Sequence, residues 1–180
     1  MIHSCGKTKP KTAHSVFIAW NAEVCGDAEL AENASVWFSA TVRADIAPIR
    51  IGKGSNIQDN AVVHVDENLP CTIGENVTVG HNAILHSCTV RDGCTIGMGA
   101  IVLNNADIGE NSMVGAGSLV TQGKSFPAGS LILGSPAKLI RSLTAEEIET
   151  RKENCENYIR HAQEALRDGA HCGPGEKIEQ

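Results

Sequence analysis

Aromatic residues are scarce: Phe, Trp and Tyr make up 3% of the 180 residues. Large rings dominate the energetics of an ordinary layered core, so a chain with 18 glycines and almost no rings must pack aliphatic side chains in regular tiers. A basic run is also missing. The 15 Lys and Arg are outnumbered by 21 Asp and Glu, for a formal net charge of -6, which leaves no electrostatic footprint for nucleic acid or an anionic membrane. No stretch approaches the ~18 apolar residues of a membrane span. The opening MIHSCGKTKPKTAHS has no apolar segment behind a charged start. A cytoplasmic protein with neither nucleic-acid nor membrane partners is expected. The seven cysteines include no CxxC pair, and an odd count suits reduced thiols in a reducing compartment better than a disulfide framework.

What the chain does have is a period. One Ile, Val or Leu recurs every six residues from Ile18 through Val24, Leu30, Val36 and Val42, then from Ile51, from Ile73, and from Val90 to Val120. Two residues before each sits a second column of mostly small residues, among them Ala22, Ala28, Ser55, Ala61, Cys71, Ala83, Cys88, Cys94 and Ser118. Residues two apart in an extended strand point to the same face, so the large and small columns together predict an interior, and the three cysteines are expected to be core. Helical spacings of three and four are absent, as are the polar turns of a meander. A six-residue strand cannot bury its one apolar edge alone. Three such strands per coil, closing a triangular prism stacked coil on coil, solve that problem. Glycine often follows the aliphatic residue (Gly52, Gly74, Gly80, Gly97, Gly109, Gly115), where freedom in φ would help the chain turn.

Three breaks interrupt the register: three extra residues between Val42 and Ile51, four between Val63 and Ile73, and one missing between Leu85 and Val90. The insertions carry Pro48 and Pro70, as expected of loops bulging from a corner. The single domain 1–180 thus divides into an all-β solenoid over 16–140, a C-terminal α-helix over 144–168, and a tail over 169–180 expected to be disordered. Thr144 and Glu147 have the spacing of a capping box. Ile148, Cys155, Ile159, Ala162 and Leu166 fall on one stripe of the helix, which should fold back on the prism.

Counting hexads places Arg43, His64 and His86 just after the same corner on three successive coils. Coils stack at about 4.8 Å, so His64 and His86 project side by side. Two imidazoles at that separation can bind one ion at ~2.0–2.1 Å per bond. Gln58 and His81 belong to the preceding corner. A prism side of about six residues at ~3.3 Å each is too long for His81 to join the other two within one chain. If the three histidines form one site, a neighbouring chain supplies His81 and the protein is a homotrimer with three equivalent sites.

The residues then resemble a known family. RADIAPIRIGKGSNIQDNAVVH followed by GHNAILHSC is similar to the gamma-class carbonic anhydrases, which share an R-x-D, an N-x-Q-D, a later His and a G-H-x4-H. These belong to the hexapeptide-repeat superfamily. The similarity continues through IGMGAIVLNNADIGENSMVGAGSLV and GSPAKLIR, so it spans most of the chain. It implies a left-handed parallel β-helix and a metal held by His64 and His86 of one subunit with His81 of its neighbour. It also implies that Gln58, within Asn56-Ile57-Gln58-Asp59, orients a metal-bound hydroxide that attacks CO2 to give bicarbonate. Arg43, Asp45 and Asp59 are implied to form inter-subunit ion pairs, with Asn56 in a supporting place. Zn2+, one per subunit interface, suits three imidazoles, with Fe2+ or Co2+ as alternatives. The sequence departs from the family's founding enzymes in a short insertion after His64, where Glu67 is a weak stand-in for their proton-shuttling glutamate. Ile46 replaces a glutamate, and the only tyrosine, Tyr158, falls in the terminal helix and is not equated with a site tyrosine. Two other readings stand beside this one: an acyltransferase or thioesterase acting on a coenzyme A thioester, and a catalytically silent metal-binding trimer. The fold alone does not choose among them.

Overall fold

In the computed structural model, residues 1–169 are described. The predicted tail lies outside them except for Gly169. The chain winds as the expected left-handed parallel β-helix. On one face, Phe17–Ile18 pairs with Ser35–Val36, followed by Asn56–Ile57, Thr78–Val79, Thr95–Ile96, Met113–Val114 and Ser130–Gly134, all parallel. A second face stacks the start of Thr41–Ile51, then Val62–His64, Ile84–His86, Ile101–Val102 and Leu119–Val120. The third stacks the end of Thr41–Ile51, then Cys71–Ile73, Thr89–Val90, Asp107–Ile108 and Ser125–Phe126. Because Thr41–Ile51 rounds a corner, it ties these last two faces into one 12-stranded network.

Both predicted columns point inward. Val24, Val36, Val42, Ile57, Val63, Val79, Leu85, Ile96 and Ile108 are fully buried, and the small column down to Cys71, Cys88 and Cys94 is buried with them. Each buried Val, Leu or Ile stabilises the fold by about 1.5–3 kcal/mol, so tiers of aliphatic side chains replace the missing rings. The inward columns continue beyond Val120, to buried Ser130 and Ile132, within the predicted 16–140. At the other end, Ile2–His3 and Lys11–Thr12 pair with Glu23–Leu30, so the chain joins the stack before residue 16.

Two expectations about corners need correction. The glycines directly after the aliphatic column do not take positive φ; those positions fall two residues later, at Gly54, Asn76, Asn82, Gly99, Asn111 and Gly117, where Gly and Asn tolerate the left-handed region. What excludes a side chain at Gly97 is the next coil, since a Cβ there would sit 2.5 Å from the Ala116 backbone nitrogen. The first insertion is not a loop that leaves the sheet. Strand Thr41–Ile51 runs through Pro48 without interruption, and its extra residues form a wide bulge between the pairs Gly26↔Ala44 and Ala28↔Ile49. A bulge absorbs residues while one strand continues. The second insertion is a small hairpin closed by Asp66 and Leu69.

The helix Ala145–Arg167 starts at Thr144, with both capping-box hydrogen bonds made. Glu147 accepts from both Arg141 nitrogens at 2.7 Å. That guanidinium, then the Thr144 N–H, hold its carboxyl down at about 2. Cys155 and Ala162 of the predicted stripe are buried, and Ile148, Ile159 and Leu166 are half-buried. The stripe packs on the first face, over Phe17–Ile18, Ser35–Val36 and Asn56–Ile57. Among the described residues, no helix is long and apolar enough to cross a membrane.

Candidate metal centre

Pairing aligns Arg43 with His64 and His64 with His86, the column reached by counting hexads. His64 Nδ1 lies 3.1 Å from His86 Nε2. The outer partners of both rings can accept hydrogen bonds, which fixes the tautomers. His64 Nε2 faces Asp45 Oδ1 at 3.1 Å, and His86 Nδ1 faces Asn104 Oδ1 at 2.6 Å. Each ring therefore carries its proton on the outer nitrogen and leaves the inner one bare. Arg43, which can only donate, approaches the bare His64 Nδ1 at 3.4 Å. Burial lowers the His64 pKa, and the positive charge of Arg43 adds to that against the opposing pull of Asp45. The neutral form that a metal requires is thus favoured. Burial pushes Asp45 up, yet the bond from His64 and the pairing with Arg43 outweigh it and hold the carboxyl below its ordinary range.

Two bare lone pairs facing each other repel unless a cation or proton lies between them. Two ~2.0–2.1 Å bonds meeting at a tetrahedral angle span about 3.3–3.4 Å, close to the observed 3.1 Å. By donor chemistry and by spacing, the residues fit a zinc-like ion. Among the described residues of the single chain, no group of three or more His, Cys, Asp or Glu forms that could hold a metal. His81 stands apart: its Nδ1 pairs with Asp59 at 2.9 Å.

Gln58 lies on the same corner as Asp59 and is 4% exposed. Its amide is oriented by Asn56, which is fully buried. Asn56 Nδ2 donates to Thr78 Oγ1 at 3.0 Å and reaches the Val77 carbonyl and Cys155 Sγ. A carbonyl only accepts, so the amide nitrogen must face that side. Asn56 Oδ1 is left to accept from Gln58 Nε2 at 3.1 Å, and Gln58 therefore turns its Oε1 away as a free acceptor.

Of the predicted site residues, the chain brings together Arg43, Asp45, His64 and His86 in one cluster and Asn56, Gln58, Asp59 and His81 in another. Arg43 pairs with Asp45 and Asp59 with His81, both within the chain, whereas the resemblance implied contacts between subunits. Sequence reasoning missed two residues. Asn104 follows the aliphatic column by two and was ordinary in sequence. Asp66 was passed over for its exposed neighbour Glu67. Tyr158 was not equated with a site tyrosine, and its ring packs edge-on to Trp37 at 5.5 Å. Burial, then the negative charge of Asp59, raise its pKa.

Residues 87–122 match the family described as bacterial transferase hexapeptide (six repeats). A carbonic anhydrase of Geobacillus kaustophilus is 46% identical over 158 residues, 88% of this chain and 86% of that one. The mitochondrial gamma carbonic anhydrase 2 of Arabidopsis thaliana is 43% identical over 86% of this chain, which spans 58% of that protein's length. The crystal structure of a hexapeptide transferase family protein from Anaplasma phagocytophilum superposes with a TM-score of 0.88 at 41% identity, covering 91% of this chain and 97% of that one.

Proposed function

The chain belongs to the gamma carbonic anhydrase family of hexapeptide-repeat proteins, and from that premise we propose that it hydrates CO2 reversibly to bicarbonate at a metal site shared between subunits. The observation that carries the reading is the facing pair of bare nitrogens, His64 Nδ1 and His86 Nε2, 3.1 Å apart with their outer nitrogens engaged. The partner subunit's His81 would complete the set in a homotrimer. Exposed apolar side chains support such an interface. Trp20 and Met98 lie in the same corner column as His81, and Ile46 and Ile84 flank the His64–His86 pair; Trp20 and Met98 are 61% and 60% exposed. Zn2+ suits three neutral imidazoles, with Fe2+ or Co2+ as alternatives. When bound, the ion supplies Lewis acidity, which makes water nucleophilic near neutral pH.

The chain's own residues do the rest. His64 and His86 offer neutral nitrogens held in place by Asp45 and Asn104, and Asp59 holds the His81 ring in the same way. Gln58 presents Oε1 to accept a hydrogen bond from the attacking water, turning an oxygen lone pair towards the carbon of CO2. Asn56 keeps that amide from flipping. Transfer from a coenzyme A thioester, the alternative suggested by transferases of this fold, needs one histidine as base and gives no reason for two rings with opposed bare nitrogens.

Stopped-flow CO2 hydration on zinc- and iron-loaded protein tests this. Activity lost in His64→Ala, His81→Ala and His86→Ala is expected. No hydration above buffer in either metal form would remove the reading.

A further inference from the structure

We propose that Asn104 and Asp66 form a relay that locks His86 in the tautomer with Nε2 bare, an inference that rests on the metal reading of the His64–His86 pair. The relay begins at the 2.6 Å contact between His86 Nδ1 and Asn104 Oδ1. An amide can turn either its oxygen or its nitrogen to a ring nitrogen, and the wrong choice would move the imidazole proton to Nε2. Asp66 decides the matter. Its Oδ2 lies 3.2 Å from Asn104 Nδ2, and a carboxylate can only accept, so the amide nitrogen must face Asp66 and the oxygen must face His86.

Asp66 is itself held. Its Oδ1 accepts from the Glu67 backbone N–H at 2.9 Å, and its own N–H donates to Ser87 Oγ at 2.6 Å. Ser87 Oγ in turn donates to the Leu69 carbonyl at 2.9 Å, pinning both ends of the hairpin to the residue after His86. The second insertion therefore has an assignment. It carries a carboxylate to within two hydrogen bonds of the imidazole, through Asn104, which lies 38 residues from Asp66 in sequence. Hydrogen bonds in a chain polarise one another, so the Asp66 charge strengthens His86 as a donor to a cation as well as fixing its tautomer. Asn104 and Asp66 are positioning residues, since both act through His86.

The test uses the full-length protein. Long-range 1H–15N correlation spectra of the metal-free protein report which ring nitrogen of His86 is protonated, and competition with a chromogenic chelator reports Zn2+ retention. In the wild type Nδ1 should carry the proton. Asn104→Leu should lose that preference and weaken Zn2+ retention about 10–100-fold, the usual effect of removing an outer-shell partner. Asp66→Asn should act in the same direction. Asp66→Asn combined with Asn104→Asp exchanges the amide and carboxylate while keeping every donor opposite an acceptor, so it should restore both readouts; a purely structural loss would not recover. A His86 Nδ1 without its proton in the wild type, or one that keeps it in Asn104→Leu, overturns the relay. Wild-type protein that retains no Zn2+ removes the metal reading, and the ring spectra still decide for or against the relay.

Discussion

Asn56→Leu separates the orientation of Gln58 from the integrity of the metal site. Leu has the same side-chain heavy-atom count and branching as Asn, so the buried position stays filled and the main change is chemical. It removes the hydrogen bond to Thr78 at 3.0 Å and the one from Gln58 at 3.1 Å, each a net contribution of about 0.5–1.5 kcal/mol. It also leaves the Gln58 amide, 4% exposed, with an orphaned donor at a cost of about 1–3 kcal/mol. The added apolar burial offsets part of this, and a net loss of roughly 2–4 kcal/mol remains. For a chain of this size that lowers Tm by about 4–16 °C, which circular dichroism would follow. Gln58 would then be free to present either end of its amide. Zn2+ content should be unchanged, since neither residue contacts His64 or His86, while kcat for hydration falls by about 10–100-fold, as for other outer-shell losses. Wild-type kcat in a folded Asn56→Leu protein would refute the assignment of Gln58 Oε1 as the acceptor. Loss of zinc along with activity would refute the separation of the two clusters.

The two kinds of corner glycine should fail differently. Gly97→Ala forces a Cβ against the Ala116 backbone and should unfold the coil stack in thermal melts, whereas Gly99→Ala, at φ 65° with open space around it, should cost only about 1–2 kcal/mol of left-handed strain. Gly99→Asn should recover most of that loss, because Asn occupies the matching place on other coils. Glu147 has a folded pKa near 2, below the ordinary 4.5, so its contribution is full above the ordinary range and is lost as pH falls from about 4.5 towards 2. Helical ellipticity should follow that window, and Glu147→Gln should lower stability at neutral pH while flattening the acid limb. Burial pushes the Cys94 thiol up to about 12. A thiol reagent should leave it unmodified in the native protein and label it on unfolding, and rapid native labelling would contradict its inward place.

The fold was legible because its physics repeats. One aliphatic and one small residue per hexad fix the interior, and both columns of the sequence are the buried columns of the structure. Counting through the register breaks placed His64 beside His86 because parallel pairing preserves register. The chemistry that does not repeat was harder to see. Neither the Asn56–Gln58 hydrogen bond nor the way Cys155 closes on Asn56 from 99 residues away leaves any trace in a period of six. The contact of Tyr158 with Trp37 was hidden for the same reason, since a capping box and an apolar stripe predict that a helix packs but say nothing about which ring its tyrosine meets. The glycines were credited to φ because sequence shows the turn, while the close approach of the next coil exists only once the coils are stacked.

All three breaks in the hexad period follow the column Arg43, His64, His86, and each contributes to the support of that column, the third only through the hairpin of the second. The bulge between Ala44 and Ile49 carries Asp45, which accepts a hydrogen bond from the outer nitrogen of His64. The hairpin after His64 carries Asp66 to Asn104 and so to His86. The deletion after His86 puts Ser87 at a positive φ of 45°, from which its hydroxyl meets both ends of that hairpin. A perfectly periodic solenoid would still stack the two imidazoles but would offer them only the outward positions of the next coil. Insertions at one corner leave the buried columns untouched, so the stack tolerates them, and they bring carboxylates to the two rings that a regular hexad has no place to hold.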